Sequence, residues 1–415
     1  MNLLEIYENN RSSIIGSDID DIEKFQKKLI ENYKLDKKKL SQNDSTKHID
    51  QKIINQIEYF IDQQKSEIEY QKDFSNTSSI TVKNGNIFSV NNLDEKKILL
   101  QPLHFDKKLV FEKIDKYKTT FVNDYIANLN SIFFNSGFDF NLQDDSNARI
   151  ELFNINDVKQ NTIYAKNFFR VGKGSKLILI EYFANKIHSN SNIINYFELE
   201  AGSELIHLVI QNNEKNANLQ FSSHTNSQPS SLMKQFIFNI SNSSIRNHHY
   251  GNLKGMNAKI NLQGLFFASN NQIIDNKTLI QHLEPNCTSN QTYKGILSDN
   301  SKASYLSKTY VDQIAQQTEG YQLSKGLLLS NNAYFHSKPE LRIFADDVKC
   351  SHGSTIGPFE EDMLFYLRTR GLNLFEAKSF LIKSFCADIM ENIDDKEYIT
   401  TINQLIENWL NKNKF

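Results

Sequence analysis

A chain of 415 residues is long enough to bury a sizeable core and to hold two or three compact units. Its composition is 39% hydrophobic and 23% charged, which excludes disorder for most of its length, and a formal net charge of −2 gives no ground for a nucleic-acid or anionic-membrane partner. No apolar run approaches the length of a membrane span, and the start MNLLEIYENNRSSIIGSDIDD lacks the basic-then-apolar order of a secretory signal. Cys287, Cys350 and Cys386 are odd in number, far apart and without a C-x-x-C pair. That argues against a disulfide framework and against a cluster or zinc site built from cysteines alone, and it fits a cytoplasmic, reducing setting.

In chain order, residues 1 to about 75 read as helical. Ile22, Phe25, Leu29 and Tyr33 recur at helical spacing, as do Ile53, Ile54, Ile57, Phe60 and Ile61. The run Lys37, Lys38, Lys39 reads as a solvated face or turn. Residues 75–100 turn polar and Ser/Asn-rich, with a short hairpin expected at Asn84-Gly85, and a further helix is expected over 112–130.

From about 131 to 353 the pattern changes to short strands separated by small polar turns: SKLILIEYF (175–183), NYFELEAGSELIHLVIQ (195–211), KQFIFNIS (234–241), AKINLQGLFFASNNQII (258–274) and KGLLLSNNAYFHS (325–337). Val, Ile, Leu and Phe alternate with polar residues, and Gly or Asn marks the corners. No helix-length segment intervenes, which argues against a doubly wound α/β sheet. A sandwich, a barrel and a stacked β-solenoid all remain open, since strict repeat identity is missing. Val171-Gly172-Lys173-Gly174-Ser175-Lys176 lacks the spacing of a phosphate loop and precedes a strand, so it reads as a turn.

The stretch from Lys338 to Gly371 organises the rest. It opens as a period-2 strand with Leu341, Ile343 and Ala345 on one side. It crosses a polar corner expected over Asp346–Gly353, and leaves through Gly357-Pro358 into a helix. Cys350 and His352 fall two residues apart and share a side wherever the chain is extended. Thiolate and neutral imidazole are iron donors, and two of them leave coordination positions for a second subunit. The plainer alternative is a small buried hydrophobe beside a turn-capping histidine. Asp346 and Asp347 read as turn residues. His248 and His249, adjacent in a strand, point to opposite faces and do not ligate together. Cys287 and Cys386 read as inert.

Helix punctuation after Gly357 is clear. Pro358 suits a first helical position, Glu360, Glu361 and Asp362 suit the first turn, Arg368 and Arg370 the last, and Gly371 the stop. Asn373 with Glu376 makes a capping box for a second helix with the stripe Leu374, Ala377, Leu381, Phe385, Ile389. A third helix carries Tyr398, Ile402, Leu405, Ile406, Trp409 and Leu410.

The segments KPEL, ADDVKCSHG and FYLRTRG, in that order, resemble the SufB/SufD family of iron–sulfur cluster assembly proteins, and within it the SufD side. Arg246, Leu253, Gly255, Leu262 and Gly264 fall at the family's R…L-x-G…L-x-G spacing. Asp275, His282, Ser289 and Tyr293-Lys294-Gly295-Ile296 match its D…H…S…YKGI segment, and LLLS at 327–330 continues it. The likeness covers about the C-terminal two-thirds. Gln322, Ser324 and Gly326 depart from the family's Gln-x-Asn-x-Asn run, and Arg342 stands where an acidic residue is common.

The resemblance implies a mainly β fold: a right-handed parallel β-helix over 131–357, a mainly helical region over 1–130 and a helical domain over 358–415. It implies a non-enzymatic scaffold subunit with a SufB-type scaffold and a SufC-type ABC ATPase as partners. A homodimer in the absence of SufB is left open. It places His352, with Cys350 as its neighbour, at the SufB interface, where iron or a nascent cluster is completed by a SufB cysteine and is not held stably by this chain alone. Helix residues Met363, Tyr366, Leu367, Arg370, Leu374 and Phe375 would dock the ATPase. His282 is expected to be structural. One rival is a SufB-type scaffold that holds the cluster itself, which would need a cysteine in the late coils, where residues 288–349 have none. The other is a β-helix polysaccharide-active enzyme.

Overall fold

A computed structural model describes residues 3–40, 77–118, 120, 124–158, 162–186 and 188–413, with the side chains of 33–40 left undescribed. The expected helical stripe from Ile53 to Ile61 lies outside the described residues, and so do the side chains of Lys37, Lys38 and Lys39. The described elements begin with α1 (Leu3–Asn9) and α2 (Asp20–Leu40), in which Ile22 and Leu29 are buried as their spacing predicts. The hairpin at Asn84-Gly85 forms between β1 (Ser79–Lys83) and β2 (Asn86–Asn91), with both turn residues at positive φ. It is not an isolated excursion, because β1 also pairs in parallel with β5 (Asn147–Asn156).

After β3 (Ile98–Pro102), the single helix expected over 112–130 is two helices, α3 (Lys107–Tyr117) and α4 (Tyr125–Phe133). Asp106 and Asp124 supply the reason. Each accepts two backbone N–H bonds at a helix start, so the second aspartate opens a new helix inside what reads as one pattern.

From β4 (Ser136–Leu142) to β19 (Val348–Gly357) the chain winds a parallel β-solenoid of about eight turns. Successive strands alternate between two facing sheets, one of ten strands ending in β19 and one of nine ending in β18 (Tyr334–Ile343). Neighbours within a sheet are in register, so like positions stack from coil to coil. Phe140, Phe169 and Phe197 form one such stack, with centroids 5.7 and 5.0 Å apart.

One corner of the coil carries its own ladder. Asp145, Gly174, Gly202, Ser230, Asn257, Asn286 and Gln317 all adopt positive φ, about 28 residues apart. Each donates its backbone N–H to a carbonyl at the matching corner of the next coil, from Asp145 to Lys173 at 2.8 Å through Asn286 to Gln316 at 3.0 Å. The small and Asx residues that tolerate the left-handed region therefore set the repeat, although no repeated motif marks it.

Both outer sheet faces are covered. The N-terminal helices lie on the nine-stranded sheet, with Ile126, Ile132 and Phe133 against Phe168 and Tyr196. The helices α6 (Leu374–Met390) and α7 (Lys396–Lys412) lie on the ten-stranded sheet, with Ile382, Ile402 and Trp409 against Leu208, Phe238 and Phe267. Tyr398 donates to the Val209 carbonyl at 3.0 Å. Covering both faces explains why several strands are apolar on both sides instead of alternating.

Candidate functional site: the open end of the solenoid

The polar corner expected over 346–353 is shorter than that. The chain turns at Ala345–Asp347 and is extended again from Val348, with every residue from Val348 to Gly357 paired to β17 (Thr318–Leu328). Continuous ladder pairing overrides the turn-like composition. The run Lys-Cys-Ser-His-Gly-Ser-Thr is polar, in keeping with the fact that no described coil is stacked on it. Asp346 and Asp347 lie exposed at the turn, where the Asp347 carbonyl accepts from Gln317 at 2.6 Å.

Extended geometry puts Cys350 and His352 on one face, and the register identifies it. Gln322, the Cα partner of His352, bonds Thr309 Oγ1 at 2.7 Å and Ser307 Oγ at 3.1 Å across the coil, on β16 (Lys302–Val311). The partner of Cys350 is Gly320, whose absent side chain would point at Thr309 and Ser289. Partners in register share a face, so Cys350 and His352 belong to the inner face. They line the rim of the solenoid where it ends.

His352 is exposed, and Cys350 is half-buried against Val311, Ala315 and Ala345. Burial pushes the Cys350 thiol up, and a hydrogen bond from the Gly320 backbone partly offsets this. The inner columns below the pair are uncharged. Gln291 donates to Thr309 at 2.9 Å, and His282 Nε2 lies 2.8 Å from Ser289 Oγ. Burial pulls His282 down to about 4, so it is a neutral packing residue at neutral pH, as expected.

Among the described residues, β18 and β19 are the last strands of their sheets, and no further strand pairs with their outer edges. Tyr334, Phe344 and Ile356 stand exposed around it.

Beside this end, α5 (Glu361–Thr369) has no buried residue. Its N-cap is Glu360, so Pro358 precedes the helix instead of opening it; the chain must first leave the β19 ladder. Arg368 falls in the last turn, and Gly371 at φ +99 ends the segment. Of the residues expected to dock a partner, Met363, Tyr366, Arg370 and Leu374 are exposed, with the Arg370 guanidinium 5.0 Å from the Tyr366 ring centroid. Leu367 is intermediate, and Phe375 instead packs against the α6–α7 core.

The capping box of Asn373 and Glu376 forms as expected. The buried stripe of α6 is rotated from the expected one, however. Ala377, Ile382, Cys386, Ile389 and Met390 face the sheet, while Leu374 faces solvent. Lys294 explains the rotation: its ammonium donates to the Phe385 carbonyl at 2.7 Å and bonds Asp388, fixing the helix azimuth. The same rotation exposes Phe380, and Phe365 on α5 is 70% exposed; neither was singled out from sequence.

The family model described as "SUF system FeS cluster assembly, SufBD core domain" matches residues 153–385, more than half of the chain. The chain belongs to this family. It is 35% identical over 152 residues to the iron–sulfur cluster assembly protein SufD of Escherichia coli, covering 37% of this chain and 36% of that protein. It is 40% identical over 135 residues to an iron–sulfur cluster assembly SufBD family protein of Synechocystis, covering 32% and 30%. It is 24% identical over 290 residues to SufD of Plasmodium falciparum, covering 62% of this chain and 20% of that one. The matched stretches thus span about a third or less of these relatives. Within the family the chain is SufD-like, since two of these relatives are named SufD.

One feature of this SufBD core has no signal in the sequence. His248 and His249 do point apart: His249 faces inward to Ser223 at 2.7 Å, and His248 outward. The outward one joins a buried charge cluster. Arg246 Nη2 contacts both Asp124 oxygens at 2.8 and 2.9 Å, and His248 bridges Asp124 at 3.1 Å and Asp275 at 3.0 Å. Ser304 donates to the other Asp275 oxygen. Arg246 and His248 thus fasten the Asp124 cap of α4 to the solenoid, and Asp275 backs them from the next coil. The cysteines away from the rim lie where the reading of them as inert requires. Cys287 and Cys386 are buried, and burial pushes their thiols up to about 11 and about 12. No group of three or more His, Cys, Asp and Glu with metal-ligand geometry occurs among the described residues.

Proposed function

We propose that this chain is the SufD-like scaffold subunit of a complex with a SufB-type subunit and a SufC-type ATPase. The solenoid rim faces the SufB-type partner, and Cys350 and His352 supply part of the donor set for iron or a nascent cluster, which is the cargo. Two donors do not complete a coordination sphere, so a cysteine of the partner supplies the remainder. The observation carrying this reading is His352: an exposed imidazole on the inner face of the strand that ends its sheet among the described residues, two residues from a thiol. A partner strand added to either edge would bring its own side chains over this rim.

The exposed ridge of Met363, Phe365, Tyr366 and Phe380 is the proposed ATPase dock. It lies a few residues past β19, so a nucleotide-driven movement of α5 would reach the rim through a short, stiff connection. The SufB-type alternative is disfavoured because residues 288–349 hold no cysteine that could anchor a cluster on this chain's own late coils.

The test is co-expression with SufB- and SufC-type partners. Ser354→Pro in β19, where the backbone N–H points away from β17 so that the ring falls on the outer edge, should release the SufB-type subunit while retaining the ATPase. Phe365→Asp should do the reverse. Retention of both partners in both variants would reject the assignment of surfaces.

A further inference from the structure

Gly320 occupies the inner column directly below Cys350, between Ser289 in β15 (Thr288–Leu297) and Cys350 in β19. Its backbone is not left-handed, so conformation does not call for glycine there. Space does. A β-carbon at this position would lie 3.3 Å from the Cys350 sulfur, 3.4 Å from the Thr309 methyl and 3.8 Å from Ser289 Oγ. The missing side chain is therefore the volume into which the thiol leans. On other strands of this solenoid the inner glycines make room for aromatic rings: Gly264 for Tyr293 and Gly326 for Phe335. Gly320 alone among these makes room for a sulfur.

We propose that Gly320 is a positioning residue for Cys350: it holds the thiol withdrawn from the rim into the last coil, and so sets how readily a metal or partner reaches it. The inference rests on the rim pair being a donor half-site, but its test needs neither partner nor cargo. Three surroundings restrain the withdrawn sulfur. The Gly320 backbone hydrogen-bonds to it, the apolar cluster of Val311, Ala315 and Ala345 packs beside it, and the Thr309 methyl closes the far wall. A methyl group at 320 would itself sit 3.3 Å from the sulfur, closer than ordinary van der Waals separation. The soft response is rotation of the Cys350 side chain, which moves the sulfur toward solvent and toward the His352 side.

The experiment is alkylation of the full chain by iodoacetamide as a function of pH, followed by intact mass. Cys287 and Cys386 are buried, so a single native addition reports Cys350 and any further addition reports unfolding. Gly320→Ala should raise the addition rate at neutral pH several-fold and move the midpoint of the rate–pH curve down, with still only one addition. Adding Thr309→Ser removes the facing methyl but keeps the hydroxyl that bonds Gln291 and Gln322, and it should return the curve toward that of the unaltered chain. An unchanged curve in Gly320→Ala, or a double variant no closer to the original, would overturn the assignment. If cluster assembly with partners failed while these curves moved as stated, the fault would lie with the functional reading and not with Gly320.

Discussion

The buried cluster around Asp124 allows a prediction with a worked magnitude. Asp124 does two jobs: its Oδ1 caps α4 by accepting from Ile126 and Ala127 at 3.1 Å each, and its carboxylate is the counter-ion of Arg246. Asp124→Ala removes both. Loss of an N-cap costs about 1 kcal/mol. Leaving a buried guanidinium short of its partner costs about 3–5 kcal/mol. The lower end applies, because Asp275 remains 3.8 Å from Arg246 Nε. The sum is about 4 kcal/mol. Asp124→Asn keeps a capping oxygen and loses only the charge, so it should cost about 3 kcal/mol. Urea unfolding with amide exchange over residues 125–133 measures both. A loss below about 1 kcal/mol in the alanine variant, or an asparagine variant indistinguishable from the unaltered chain, would refute the reasoning.

The same cluster sets an acid limit. Burial by itself would raise the carboxyls of Asp124 and Asp275, but Arg246 and His248 outweigh it and hold both down, Asp275 at about 2. A depressed carboxylate contributes stability above its unfolded value of about 3.9, and that contribution is lost as pH falls through the folded value. Exchange protection of α4 should therefore persist at about pH 4 and fall away only on approach to about pH 2. Collapse of that protection above about pH 5 would contradict this. At the left-handed corner, Gly202 has φ +70 with nothing within 4 Å of an added β-carbon, so Gly202→Ala meets strain without a clash. It should lower stability by about 1 kcal/mol in denaturant unfolding, and a neutral result would remove the corner ladder from the account. Phe365→Asp should leave thermal unfolding unchanged within about 0.5 kcal/mol, since the ring is exposed, while weakening the ATPase by about 2 kcal/mol, or roughly thirtyfold, in a binding titration. Unweakened binding would move the dock elsewhere.

Much of this architecture is legible in the residues, and the exceptions have identifiable causes. The apolar strand segments read between 175 and 337 are strands, while the polar strands Asn218–Ser227 and Thr288–Leu297 carry no such pattern; the Asn84-Gly85 hairpin and the Asn373–Glu376 box follow from local chemistry that tertiary contacts do not overrule. The coil repeat escapes motif searching because a left-handed corner accepts Gly, Asn, Asp, Ser or Gln alike, so its signature is a conformation shared by unlike residues. The composition of 346–353 suggests a turn where β19 begins because an edge strand and a loop draw on the same polar residues, and only pairing with β17 separates them. The azimuth of α6 was misjudged because one buried lysine on a distant strand, Lys294, decides which of two apolar stripes faces the sheet. The charge cluster was out of reach for a related reason: Asp124 and Arg246 are far apart in sequence, and no local pattern couples them.

The rim pair was named from sequence, but its orientation was not. That Cys350 and His352 face inward on the last described strand follows from Gln322 and Gly320 beneath them, and the proposal of shared coordination at the rim is built on that orientation. The most direct test is anaerobic iron and acid-labile sulfide analysis of the complex purified with SufB- and SufC-type partners, comparing the unaltered chain with His352→Ala. The account predicts an intact complex that carries little or no iron and sulfide. An intact complex with undiminished cluster content would contradict it.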